Sequence, residues 1–314
     1  MIPPGDNAGS AQPKPGSAAT KDGLLFRDGT DALHLRYYMF DWDDNILRMP
    51  TRIHLDRRTQ SGGWDPYDVS TGEFAKIRRD TVNFRPRDGS WDVAFEDFYD
   101  NGPRGDDAFL DDVKIALADV LSGREKPMPS FQRFKDALVE SRLFAIITAR
   151  SHGSNSIRRG VEYFIANVLT EREHSVMIGN ERGFMRYFGE NADALSDAEV
   201  LKRYLDLNHY SGVSSPEFQR RMGLSGVSSA ESPEKAKQFA IHQFVFHIVS
   251  LIRDRGTKHP VSIGFSDDDV HNVLSVEEFL REALADQLPN FKFVVYDTSE
   301  SGAASGRKVI IQSS

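Results

Sequence analysis

Four short apolar runs in this chain each stop at a polar or acidic group, and that pattern narrows what the chain can fold into. Leu33–Phe40 (LHLRYYMF) stops at Asp41-Trp42-Asp43-Asp44-Asn45, and Leu143–Ile147 (LFAII) stops at Thr148-Ala149-Arg150. Val261–Phe265 (VSIGF) stops at Ser266-Asp267-Asp268-Asp269, and Phe291–Tyr296 (FKFVVY) at Asp297-Thr298. Each run has the length and apolar content of a buried strand. Helical patterns lie between them. Phe131, Phe134 and Leu138 fall on one stripe behind Ser130, and Ile157, Val161, Phe164, Ile165 and Val168 on another. Ser232-Pro233-Glu234 opens a helix reaching about Arg253, with Ser as N-cap and Pro in the first turn. Val270–Leu284 is a further amphipathic helix. This alternation predicts an α/β fold, a parallel sheet with helices on both faces. Such sheets bind ligands beyond the carboxyl ends of their strands, where all of these acidic groups fall.

The chain of 314 residues suits one large domain with insertions. Residues 1–22 are rich in Gly, Pro, Ala and Ser, and too poor in large apolar side chains to offset the entropy of ordering, so they read as a disordered tail. They also lack the apolar segment of a signal peptide. The domain spans 23–314, with a core drawn from about 33–47, 130–168 and 232–298. Insertions occupy about 48–129 and 169–231. The first begins with a hairpin pattern, Arg52–Arg58 and Trp64–Val69 around Thr59-Gln60-Ser61-Gly62-Gly63. Ser70 and Glu73 have capping-box spacing, and a helix is expected near Ala108–Leu121. The second insertion carries a helix near Ala198–Leu207, then a Gly/Ser-rich stretch at 211–232. Ser305–Gln312 (SGRKVIIQ) has the character of an edge strand.

Composition removes several classes of function. There is no cysteine, which excludes disulfides, thiolate zinc sites, iron–sulfur clusters and cysteine nucleophiles, and fits a reducing cytoplasm. No apolar run is long enough to cross a membrane. With 39 basic and 47 acidic residues the net charge is -8, which opposes a broad nucleic-acid-binding face but not a local basic pocket. The nine histidines show no metal-site spacing, and His242 and His247 lie on a mostly apolar helix as core residues.

Asp41-x-Asp43-x-Asn45 could open a calcium loop, but that loop needs Gly at its sixth position and Glu at its twelfth. Ile46 and Arg52 stand there instead. What remains is two carboxylates, two residues apart, at the end of a buried strand. If the backbone stays extended they point to one side.

Taken in order, FDWDDNIL (Phe40–Leu47), IITAR (Ile146–Arg150), SPEKAK (Ser232–Lys237) and IGFSDDD (Ile263–Asp269) resemble the four motifs of the haloacid dehalogenase (HAD)-like hydrolase superfamily. The resemblance implies a Rossmannoid core with cap or flap insertions, and a Mg2+-dependent phosphatase working through an aspartyl-phosphate. By the same resemblance Asp41 is the nucleophile and Asp43 the acid and base for the leaving oxygen and the attacking water. Thr148 holds a phosphoryl oxygen. A lysine at a helix start neutralises phosphate charge and orients Asp41; Lys235 is the first choice and Lys237 the alternative. Because Asp41 repels a phosphate, a cation must bridge them. Asp41, the backbone carbonyl of Asp43, and Asp267 or Asp268 would hold it, with the pair left open by three consecutive aspartates. Asp at position 43 favours hydrolysis, where transport-ATPase relatives carry Thr. Asn45 departs from the usual Thr or Val, at a position that mostly supports backbone geometry.

The insertion at 48–129 takes the place of a flap or cap. It holds Trp64, Tyr67, Phe84, Trp91, Phe95, Phe98 and Tyr99 among several arginines. Such residues grip a base or an anion, or else build a small core with a basic rim. Arg48, Arg52, Arg150 and His152 are the candidate substrate contacts. The expected substrate is a phosphorylated metabolite or nucleotide. One alternative is a nucleic-acid end phosphatase, favoured by the arginine-rich insertion and opposed by the net charge. Another is a HAD-fold binding or regulatory module, opposed by the intact Asp41 and Asp43.

Overall fold

All four apolar runs form strands in the computed structural model, which describes residues 35–223, 233–253 and 260–313. In chain order the strands are β1 (Leu35–Phe40), β2 (Ile53–Arg58), β3 (Trp64–Val69), β4 (Phe84–Pro86), β5 (Phe144–Thr148), β6 (His209–Gly212), β7 (Val261–Asp267), β8 (Phe291–Asp297) and β9 (Lys308–Ile311). Six of them make one sheet in the order β6-β5-β1-β7-β8-β9. The first five are parallel, and β9 closes the edge antiparallel to β8. The C-terminal edge strand expected from SGRKVIIQ is therefore present.

Apolar periodicity accounts for the layers. Phe40, Phe144 and Ile146 pack on one side against Phe134, Phe164 and Phe109, from helices Phe131–Val139, Ser154–Val168 and Ala108–Leu121. Met39, Ile147, Phe265 and Phe293 pack on the other beneath helices Pro233–Arg253 and Val270–Phe279, through Ile241, Phe244, Val273 and their neighbours. Burying each Leu, Ile or Phe of this kind contributes about 1.5–3 kcal/mol. Helices thus lie against both faces, but not evenly. On the side of Phe40, β7, β8 and β9 lack a helical cover among the described residues, leaving Lys292 and Tyr296 half-buried and Ile310 52% exposed.

The stretch 169–231 is more than an insertion. It supplies the outer strand β6, preceded by helices Glu171–Tyr187 and Asp197–Leu207. The first of these helices was not anticipated, although Thr170 and Glu173 form a full capping box at its start. The stretch 48–129 carries its own antiparallel sheet, β3-β2-β4, over a small core of Ile53, Leu55, Val69, Ala94 and Phe98. Ser70 and Glu73 cap helix Thr71–Ile77 as their spacing predicts. No helix among the described residues is long and apolar enough to cross a membrane. The tail at 1–22, the Ser232 cap and the Gly/Ser-rich residues 224–232 lie outside the described residues.

Candidate active site

The backbone leaves β1 through a tight loop, with the amides of Ile46 and Leu47 both donating to the carbonyl of Trp42 at 3.0 and 3.3 Å. Asp44 sits in the left-handed region at φ 52°, which Asp tolerates better than most residues. Its carboxylate accepts from Thr71 Oγ1 at 2.7 Å and the Gly72 amide at 2.9 Å, tying the loop to the insertion. Asn45 is fully buried. Its amide donates to the carbonyls of Asp41 (2.9 Å) and Ser266 (3.2 Å), and its oxygen accepts from Thr298 Oγ1 at 2.8 Å. Asn45 thus stitches three strand ends together.

Asp41 is 5% exposed at the end of β1, and Asp267 is wholly buried at the end of its neighbour β7. The lysine between them is Lys237, not Lys235. Its Nζ donates to Asp41 Oδ1 at 2.7 Å and to Asp267 Oδ2 at 2.6 Å, whereas Lys235 is exposed on the far side of the helix. Helical phase explains the choice. Lys237 shares its stripe with Ile241, Phe244 and Ile248, all in the core, at intervals that return to one face. That signal was available in the sequence. Burial opposes the Lys237 charge, but Asp267 and Asp41 outweigh it and push its pKa up.

Asp43 is held separately. Thr148 Oγ1 donates to it at 3.1 Å, and Arg150 grips both carboxylate oxygens, Nε to Oδ2 at 2.9 Å and Nη2 to Oδ1 at 2.6 Å. Arg150 is 1% exposed, with its guanidinium 4.7 Å from the Phe98 ring centre and 5.4 Å from that of Phe109. It also donates to Thr51 at 2.7 Å; Thr51 hydrogen-bonds Asp112, and Arg104 holds Asp112 with two contacts. A candidate for touching substrate is thus the clamp on Asp43. Sequence spacing could not reveal this, because the partners lie 107 and 99 residues away.

These groups open into a cavity of about 290 Å3. Its charged floor is Asp41, Asp43, Thr148, Arg150, Lys237, Asp267 and Asp268. Its apolar roof is Ile53, Phe74, Phe95, Phe98 and Tyr99, all from the insertion. Arg78 spans the two, reaching Glu234 at 3.3 Å and Asp269 at 3.2 Å. Arg48 and Arg52 do not line the cavity. Both are exposed, Arg48 near Asp44 and Glu125 and Arg52 near Glu73. His152 does not line it either. It is fully buried against Phe109, with no hydrogen-bond partner for either ring nitrogen, and burial beside Arg150 and Arg104 pushes its pKa down to about 3. Trp64 and Tyr67 stack instead with Arg85 and Arg57, outside the cavity.

Four carboxylates of the floor, Asp41, Asp43, Asp267 and Asp268, face two cations, Lys237 and Arg150. The imbalance leaves a mark. Burial, together with Asp267 and Asp43, holds the Asp41 carboxyl well above the usual range despite Lys237. Burial with Asp41, Asp267 and Asp44 does the same to Asp268. The surplus of two negative charges and the all-oxygen donors fit one hard divalent cation. Among the described residues no set of three acidic or histidine side chains is gathered tightly enough to cage a metal by itself. Backbone carbonyls, water and a bound phosphate would have to complete such a shell. Compared with family models, curated proteins and solved structures, the chain matches none.

Proposed function

We propose that this chain is a HAD-type phosphohydrolase acting on a monophosphate ester with a flat, largely uncharged body. The observation that carries the reading is the placement of Asp41, Thr148 and Asp267 at the ends of three adjacent strands, with Lys237 bridging the first and last. In this reading the insertion at 48–129 is the flap.

Phosphoryl transfer between oxygens needs an in-line nucleophile and dense charge neutralisation. Asp41 attacks phosphorus and the phosphorus–oxygen bond to the leaving group breaks, giving an aspartyl-phosphate. Asp43 delivers a proton to the departing oxygen, then takes one from the water that opens the acyl-phosphate. Arg150 fixes where Asp43 can reach. The Thr148 hydroxyl turns from Asp43 to a phosphoryl oxygen, and Lys237 orients Asp41 while neutralising the transferred group. Mg2+ held by Asp41, the Asp43 carbonyl, and Asp267 or Asp268 would supply the charge neutralisation that the floor lacks.

The roof and the rim bear on the substrate. Arg78, Arg150 and Lys237 are the cations of this cavity, and each already faces a carboxylate. Among the described residues a second anionic group would have to compete with these carboxylates for a cation, which argues against bisphosphates and against the end of a polynucleotide. Phe74, Phe95 and Phe98 favour a planar apolar leaving group. The test is phosphate release from an aryl phosphate with and without Mg2+. Wild type should turn over only with the ion, and Asp41→Asn should lose at least about a thousandfold in kcat with an unchanged circular dichroism spectrum. A wild-type protein inert toward a broad panel of monophosphate esters with Mg2+ would sink the reading.

A further inference from the structure

The part of the central sheet that no helix covers among the described residues is not a bland surface. Strand register places its side chains in rows on one face. Arg36, Ser262 and Lys292 lie side by side across β1, β7 and β8. The next row is Tyr38, Gly264, Val294 and Ile310, and the one beyond brings Tyr296 beside Lys308. The central strand of the three contributes only Ser262 and Gly264 here, so the middle of the face is sunk. A Cβ built on Gly264 would meet the Tyr38 ring at 3.2 Å and the Tyr296 ring at 3.5 Å. The two phenol rings therefore converge over Gly264 and form part of the wall of a trough of about 220 Å3, whose lining also includes Arg36, Ser262, Lys292 and Val294.

The charge around this trough is one-sided. Arg36 and Lys292 lie at one end and Arg133 reaches in from helix Phe131–Val139. Lys308 adds a fourth cation along the same face. Among the described residues none of the four has a carboxylate partner, whereas the arginines and lysines of the candidate active site are all paired. Glu140 is the one carboxylate that acts on Tyr38, and it is bound to Arg142 at 3.0 Å. On a chain of net charge -8, such a patch marks a local preference for anions.

We infer that this face binds single-stranded nucleic acid, with bases stacking on Tyr38 and Tyr296 and phosphates meeting Arg36, Arg133, Lys292 and Lys308. Two features favour this occupant. Aromatic side chains stack any base, and cations without a carboxylate partner among the described residues track a phosphate backbone. The site shares no lining residue with the candidate active-site cavity, and does not depend on the activity proposed above.

The test uses the full chain and a fluorescent single-stranded oligonucleotide of about ten nucleotides. Anisotropy should report binding whose affinity falls with salt, with a log–log slope of about -2 to -3 for three or four neutralised phosphates. Tyr296→Ala and Lys292→Glu should each weaken binding about tenfold or more while the chain keeps one cooperative melting transition above the assay temperature. Arg52→Ala, an exposed arginine elsewhere, should leave it unchanged. Failure of the full chain to bind would overturn the inference. So would binding indifferent to Tyr296→Ala and Lys292→Glu, salt-sensitive self-association through this face, or crosslinks placing residues 1–34 across Tyr38 and Tyr296.

Discussion

Asp41 and Phe95 line the same cavity but are held there by different forces. Asp41 stays because Lys237, Asn45 and the ends of two strands leave it one place to be. Phe95 stays because Phe74, Trp91 and Phe98 pack around it, with ring centres 5.5–5.7 Å away. The floor is an arrangement of charges in a low-dielectric setting, where removing one partner exposes the full cost of the other. The roof is an aromatic cluster, where a lost side chain is partly made good by its neighbours. In the proposed function this division would separate the chemistry from the shape of the substrate.

The sharpest way to break this comparison is at the floor. Lys237→Met leaves Asp41 and Asp267 buried without a counter-charge, and the chain should lose about 3–5 kcal/mol in denaturant unfolding. Mg2+ should raise the midpoint of that variant more than that of wild type. If the loss is under about 1 kcal/mol, the floor is not held by charge pairing.

The packing behind Arg150 responds to acid. His152 has a folded pKa of about 3, far below the roughly 6.5 expected when unfolded. The unfolded chain therefore binds a proton that the folded chain refuses, and stability falls as pH drops from about 6.5 toward 3. By pH 5 the cost is about 2 kcal/mol. His152→Phe should remove that share of the acid slope while leaving stability near pH 7.5 little changed. A slope that matches wild type would show that the ring is not neutral when folded.

The smallest effect belongs to the roof. Phe95→Ala should raise KM for an aryl phosphate about five- to tenfold, with kcat within about twofold of wild type, because it removes binding shared by ground and transition states. A large fall in kcat would mean that the roof takes part in the chemistry.

Much of the floor was legible in the sequence, because strand ends carry their own punctuation. Apolar runs broken by Asp41, Thr148 and Asp267 predicted both the parallel strands and their meeting point. Two things were hidden for physical reasons. β6 is four residues, His-Tyr-Ser-Gly, and forms only because β5 offers it a parallel edge. Its sequence reads as loop. Arg150 and Thr51 join Asp43 and Asp112 across about sixty to a hundred residues, a partnership no local pattern encodes. Helices on both sheet faces were expected and are present, but alternation fixes only that helices follow strands, not how far each one extends across the sheet.

The short helix Thr71–Ile77 is fastened at both of its ends. Asp44 accepts from Thr71 and Gly72 at one, and Arg78, just past the other, reaches Glu234 and Asp269 on the core. A rod pinned twice behaves as a lintel rather than a door. Under the proposed function, selection would fall to the fixed width of the doorway beneath it, with no hinge to swing before a molecule enters or leaves.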